Sequence, residues 1–133
     1  MTQAYVTGAT GTIGMALIGE LLKNEIKTTV FLRKSSPRSA QLAEWFAAAV
    51  DGGSLRLEYV SLDALADYIA SGEKSDFCQP GDSRTSVFYH LGWVGTFGAG
   101  RNDEALQQRN VKYTLDAVRL AKRLGCTHFI GAG

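Results

Sequence analysis

Thr7-Gly8-Ala9-Thr10-Gly11-Thr12-Ile13-Gly14 sets three glycines at three-residue intervals between two stretches of different character. Ahead of it, Ala4, Tyr5 and Val6 form a short apolar run of the kind expected for a buried strand. Behind it, Ile13, Leu17 and Leu21 recur at helical spacing, with Met15, Ile18 and Leu22 broadening the stripe as far as Lys23-Asn24. A β-branched and aromatic run, TTVFL at 28–32, predicts a second strand. Strand, helix and strand are packed into about 30 residues, and such units almost always make a right-handed crossover in a parallel sheet.

In that position each glycine has its own use. One permits the tight turn, one lets the backbone approach a pyrophosphate, and one lets the helix pack on the strand. The phosphates would meet free N–H groups and the positive end of the helix dipole. The plainer alternative is that all three serve only the turn and the packing, although simple turns seldom need three at this period.

The alternation continues. Residues 39–50 are alanine-rich with Leu42, Trp45, Phe46 and Ala49 at helical spacing, and Gly52-Gly53 is a stop. Residues 55–62 predict a third strand, 63–70 a short helix, and 71–85, broken by Pro80-Gly81, a polar and mobile surface connection. A fourth strand is expected at 86–91, a segment with four glycines at 92–100, a long helix at 103–124 and a fifth strand at 127–130. The pattern predicts one α/β domain, a Rossmann-type doubly wound parallel sheet with helices on both faces.

Composition narrows the partners. The 133 residues carry 14 Lys+Arg against 13 Asp+Glu, and a net charge of +1 gives no broad footprint for nucleic acid or an anionic membrane. Hydrophobic residues make up 45%, which argues against disorder, and at this length roughly two thirds of the unfolded surface can be buried. No stretch reaches the roughly 18 apolar residues of a membrane span. Cys78 and Cys126 stand far apart without a secretory leader, so a reducing, cytoplasmic compartment is expected, and Cys126-x-His128 is too sparse for a metal site.

Thr7 to Gly14 resembles the TGxxGxxG cofactor loop of the short-chain dehydrogenase/reductase superfamily, in its extended, NAD-dependent epimerase/dehydratase form. Val87-Phe88-Tyr89-His90-Leu91-Gly92-Trp93 resembles the family's fourth-strand segment, whose backbone passes beside the cofactor. Asn110-Val111, with Thr114 and Leu115, resembles its Asn-Val motif in the fourth helix. The resemblance implies cofactor contacts from Gly8, Thr10, Gly11, Thr12, Ile13, Gly14, Leu91, Gly92, Trp93 and Asn110, and a nucleotide-sugar substrate for the intact enzyme. The hydroxyls of Thr10 and Thr12 either touch the pyrophosphate or cap the helix. Trp93 borders either the nicotinamide and substrate pocket or the core. Asn110 is expected to bond nearby backbone and hold the site, and His90 to be a packed, hydrogen-bonded histidine.

An acidic residue normally ends the second strand and binds the adenosine ribose. Here Arg33 and Lys34 stand there, with Arg38 close by. A guanidinium suits a 2′-phosphate and offers a 2′-hydroxyl no acceptor, so NADP is expected ahead of NAD. The other reading is a solvated basic cluster. Asp63 either bonds the adenine amino group, as the family's Asp after the third strand does, or caps the short helix; both readings stay open.

The family's chemistry needs a Tyr-x-x-x-Lys pair beyond the fifth strand. Four residues after Tyr5, Tyr59, Tyr68, Tyr89 and Tyr113 stand Ala9, Asp63, Gly72, Trp93 and Ala117. No catalytic residue is assigned. The expectation is an NAD(P)-binding portion of an epimerase/dehydratase-like oxidoreductase at 1–133, truncated after the fifth strand, without the catalytic helix and substrate domain and inactive alone. The alternatives are an NADP-binding redox sensor and an atypical short-chain reductase. The helix at 103–124 has two apolar stripes, Val111, Leu115 and Val118 on one and Tyr113, Ala117, Leu120 and Leu124 on the other, which suggests a homodimer through the stripe that does not cover the sheet.

Overall fold

The computed structural model describes residues 3–68 and 85–132. Five parallel strands form one sheet: β1 (Gln3–Thr7), β2 (Lys27–Leu32), β3 (Leu55–Tyr59), β4 (Ser86–His90) and β5 (His128–Gly131). Their order is β3-β2-β1-β4-β5, so the chain reverses its direction of travel across the sheet between β1 and β4. Helix α1 (Thr12–Lys23) joins β1 to β2, and α2 (Pro37–Trp45) and α3 (Ala47–Asp51) lie between β2 and β3. Helix α4 (Glu104–Arg123) lies between β4 and β5. Short 3-10 segments occupy Leu62–Asp67 and Gly98–Asn102.

Successive strand residues point to opposite faces, and both faces are apolar because helices cover both. Ala4, Val6, Val30 and Leu32 pack with Ile18 and Leu21 of α1 and Leu42 of α2. Tyr5, Phe31 and Phe88 pack on the opposite side with Ala117, Leu120 and Ala121 of α4 and with Leu65. Four aromatic rings cross that second face. Phe88 stacks on Tyr5 at 6.2 Å, on Phe129 at 5.7 Å, and on Phe31 at 6.0 Å, although β1 separates the strands of the last pair. Offset stacking at such separations adds to the area these rings bury.

The structure corrects three of the expected details. The buried face of α1 is Gly14, Ile18 and Leu21, whereas Ile13 is 73% exposed. Gly14 sits so close to the β1–α1 turn that it fixes the rotation of the helix and turns Ile13 outward. The helix expected at 39–50 begins earlier, at Pro37, and breaks at Phe46, whose φ of −106° and ψ of 26° leave the helical region. The break lets Phe46, Ala49 and Val50 pack against the core while Trp45 stays 74% exposed. Strand β3 stops at Tyr59 rather than 62 because its partner Leu32 is the last residue of β2. The 3-10 segment follows directly.

The connection expected at 71–85 lies outside the described residues except for Thr85, as does Cys78. Cys126 is half-buried and packs against the aromatic face. Among the described residues no helix is long and apolar enough to cross a membrane, and no group of three or more His, Cys, Asp or Glu is placed to hold a metal.

Helix rotation makes a direct test. Ile18→Ala, at 0% exposure, is expected to lower unfolding stability by about 2–5 kcal/mol. Ile13→Ala should change it by no more than about 0.5 kcal/mol. Urea denaturation without ligand reads both, and equal losses would contradict the observed orientation of α1.

Candidate functional site

The reversal of strand order between β1 and β4 opens a crevice beyond their carboxyl ends, the usual ligand position in such sheets. The two strand ends are tightly joined there. Leu91 N–H donates to Thr7 O at 3.1 Å, Gly92 N–H donates to Thr7 Oγ1 at 3.3 Å, and Thr7 Oγ1 shares a 2.7 Å hydrogen bond with His90 Nδ1. Gly8 has φ +70°, and a Cβ on it would overlap the backbone of Leu91 and Gly92. At Gly14 a Cβ would fall 2.5 Å from Gly8 O and 2.6 Å from Ala9 O. The turn and the helix packing therefore require both glycines.

Gly11 is different. A Cβ there would meet only Gly8 O, at 3.8 Å, which is ordinary contact, and its φ of −75° suits any residue. The fold has no need of a glycine at this position. Gly11 is the N-cap of α1 and supplies no side-chain acceptor, no acidic residue lies in the first turn, and no side chain caps the helix. Thr10 and Thr12 thus do not act as caps, which removes one of the readings left open for them. The first amides of a 12-residue helix are left facing the space above Gly11. A diphosphate brought against bare backbone fits this arrangement, because its oxygens would occupy the volume a side chain at Gly11 would fill.

A second recess lies beyond β2 and β3. It has a volume of about 520 Å³ and is lined by Arg33 and Lys34, by Tyr59 and Ser61, and by Ala64, Asp67 and Tyr68 among others. Among the described residues neither Arg33 nor Lys34 is in a salt bridge, so two cations stand at its rim with their charge available. Burial, reinforced by the nearby Glu58 carboxylate, pushes the Tyr68 phenol up to about 12. Asp63 is not part of the lining. Its Oδ1 accepts the Tyr113 hydroxyl of α4 at 2.8 Å, and this hydrogen bond is the chief reason the Tyr113 pKa lies above its ordinary value. Ser61, not Asp63, is the N-cap of the 3-10 segment, so the capping reading of Asp63 is corrected. Arg123 adds a further tie by donating to Ala66 O at 2.8 Å.

The chain beyond β4 is held from α4. Asn110, 0% exposed, grips the peptide groups of Val94 from both sides: Val94 N–H donates to Oδ1 at 3.0 Å and Nδ2 donates to Val94 O at 2.8 Å. Asn110 Nδ2 also donates to Gln107 Oε1 at 3.0 Å, and Trp93 Nε1 donates to the same oxygen at 3.2 Å. Trp93 is 37% exposed, one residue beyond Gly92. The structure therefore brings the glycine loop, Leu91 and Gly92 together at the ends of β1 and β4, has Asn110 hold the segment that follows through Val94, sets Arg33 and Lys34 at a neighbouring recess, and turns Asp63 toward α4. Gln107, which joins Trp93 to Asn110, and Tyr113, which donates to Asp63, are not among the residues expected from the sequence. Tyr113 was legible only as a member of an apolar stripe, and a glutamine on a helix carries no signal of its own.

His90 is 1% exposed, stacks on Phe129 at 6.2 Å, and among the described residues its Nε2 has no hydrogen-bond partner. Burial lowers its pKa from the ordinary 6.5. The unfolded chain therefore binds a proton at this residue before the folded one does, and His90 contributes a loss of stability as pH falls below about 6.5, with none above it. Thermal midpoints measured between pH 7.5 and 5 should show that loss, and His90→Asn should reduce it. An unchanged slope in the variant would mean that His90 does not carry it.

Comparison with known proteins places this geometry. The model of the NAD dependent epimerase/dehydratase family matches residues 4–133. A search of curated protein sequences returns no match. Among solved structures, the chain is similar to UDP-glucose 4-epimerase from Thermotoga maritima with UDP-glucose, at 16% identity and TM-score 0.65, covering 98% of this chain and 37% of that one. It is similar to MoeE5 in complex with UDP-glucuronic acid and NAD, at 22% identity and TM-score 0.63, covering 98% and 36%. It is also similar to yeast methylglyoxal/isovaleraldehyde reductase Gre2 complexed with NADPH, at 17% identity and TM-score 0.65, again covering 98% and 36%. These likenesses establish the Rossmann-type fold, and the chain spans about a third of the length of each of these structures. On the strength of the family match across nearly every residue, the chain belongs to the NAD-dependent epimerase/dehydratase family.

Proposed function

We propose that residues 1–133 form the nicotinamide-dinucleotide-binding part of an epimerase/dehydratase-type oxidoreductase whose intact form acts on a nucleotide sugar. The observation that carries this reading is Gly11, a glycine that neither the turn nor the helix packing requires. In this reading the amides of Thr12, Ile13 and Gly14 hold the diphosphate, Leu91 and Gly92 form the floor of the crevice, and Trp93 borders its nicotinamide end. Asn110 keeps that border in place. When bound, the cofactor supplies a hydride acceptor and donor. None of the five tyrosines has a lysine four positions on, so the chain's own residues bind and orient and no turnover is expected from the 133-residue polypeptide.

NADP is the preferred form in this reading, because Arg33 and Lys34 give a 2′-phosphate two cations at a recess whose lining holds one carboxylate, Asp67. The same pair suits a short-chain reductase as the intact enzyme. Val111, Leu115 and Val118 leave 57%, 49% and 42% of their surface exposed along one side of α4, and we assign that stripe to a homodimer contact through the helix.

Two calorimetric titrations test the reading. Gly11→Ala should fold as the parent does yet bind NADPH about 1–3 kcal/mol more weakly, the usual cost of forcing a methyl into a filled contact. Undiminished binding by this variant would show that nothing approaches the loop there. NADPH should also bind more tightly than NADH, and Arg33→Ala should remove about tenfold of that difference, the worth of one charge-assisted hydrogen bond. Equal affinities for both cofactors in parent and variant would refute the NADP assignment.

A further inference from the structure

Gln107 has five hydrogen-bond partners around its one amide, two donors at the oxygen and three carbonyls sharing the two N–H groups of the nitrogen. Its Oε1 accepts from Trp93 Nε1 at 3.2 Å and from Asn110 Nδ2 at 3.0 Å. Its Nε2 lies within reach of three carbonyls of the glycine-rich segment, Gly95 O at 3.3 Å, Gly100 O at 3.1 Å and Arg101 O at 3.2 Å. The segment needs such a hub. Gly95 and Gly98 have φ of +70° and +65°, so its backbone is cheap to reshape, and Gly95 packs against Gly100 and Leu106 with no room for a Cβ. Phe97 is 90% exposed, so hydrophobic burial of that ring does not anchor it. The polar hub joins all of this to Trp93, and Trp93 follows directly on the residue that meets Gly8 at the crevice.

We propose that Gln107 is a positioning residue: by holding the Trp93 indole through its oxygen and sharing its two N–H groups among the carbonyls of Gly95, Gly100 and Arg101, it fixes the wall of the crevice that faces the nicotinamide half of a bound dinucleotide. Asn110 alone cannot do this, since it holds only the peptide groups of Val94 and has one N–H left, which Gln107 takes. The two ends of the Gln107 amide have separate duties, the oxygen orienting Trp93 and the nitrogen gathering the glycine-rich backbone. This inference rests on the dinucleotide reading above and adds to it a residue that acts on one half of the ligand.

The test uses the 133-residue chain in a Trp45→Phe background, so that Trp93 is the sole fluorophore of its type. Three proteins are compared: this parent, Gln107→Leu, which removes both ends of the amide, and Gln107→Glu, which keeps an acceptor for Trp93 and loses the donor. Acrylamide quenching without ligand reads the wall directly. Quenching should rise in Gln107→Leu and stay nearer the parent in Gln107→Glu. Affinity for NADPH should fall by about tenfold in Gln107→Leu, equivalent to one lost hydrogen bond. Affinity for adenosine 2′,5′-bisphosphate, which carries only the adenosine half, should not change. A general loss of stability would weaken both probes together, and equal weakening, or no change in either, overturns the proposal. If the parent binds neither probe, the dinucleotide reading itself has failed and this inference falls with it. If the parent binds both and the ratio does not move, only the role of Gln107 is lost.

Discussion

Backbone lies directly on backbone where β1 runs into α1 beside the end of β4, and the rest of the arrangement follows from it. Gly8 runs against Leu91 and Gly92, and Gly14 runs against Gly8 and Ala9, with no room for a Cβ at either position. The first contact brings the end of β1 to the end of β4 where the strand order reverses. The second presses the first turn of α1 onto the loop and so sets the rotation of the helix, the burial of Ile18 and Leu21, and the exposure of Ile13. Thr7 and His90 lock the same junction from beneath by a side-chain hydrogen bond between register partners. A helix end, two strand ends and a set of free amides converge because the glycines let them.

Much of this was legible in the sequence, for local reasons. Gly8, Gly11 and Gly14 fall at the boundary between a strand pattern and a helix pattern, and that position pointed to the tight turn and close helix packing that Gly8 and Gly14 make. The two-sided burial of the strands also followed from near-continuous apolar runs such as TTVFL. Asn110 was expected to bond backbone, and it does, although its partner is Val94 on the segment after β4 rather than a neighbour in its own helix.

Other features depend on where distant segments meet, and no local pattern encodes that. The rotation of α1 follows from the contact at Gly14, while the apolar spacing alone pointed to a stripe through Ile13. The break at Phe46 follows from what the sheet face needs covered. Asp63 was open to two readings, an adenine contact or a cap; the structure removes the cap, and the hydroxyl that Asp63 accepts belongs to Tyr113, 50 residues further on, where no local pattern reaches. Gln107 was silent for the same reason: its five partners are gathered by the path of the chain after β4. The polar ties from α4, through Asn110, Gln107, Tyr113 and Arg123, hold both irregular segments beside the crevice, so the long helix is a core element and a scaffold for the site at once.

The central claim is that the loop at 7–14 offers bare amides to a diphosphate. Amide chemical shifts of the isotope-labelled chain, followed by NMR as NADPH is added, address it most directly. Saturable shifts should be largest at Gly11, Thr12, Ile13 and Gly14, with smaller ones at Leu91, Gly92 and the Trp93 indole. Binding that leaves those four amides unmoved while shifting residues elsewhere would contradict the account.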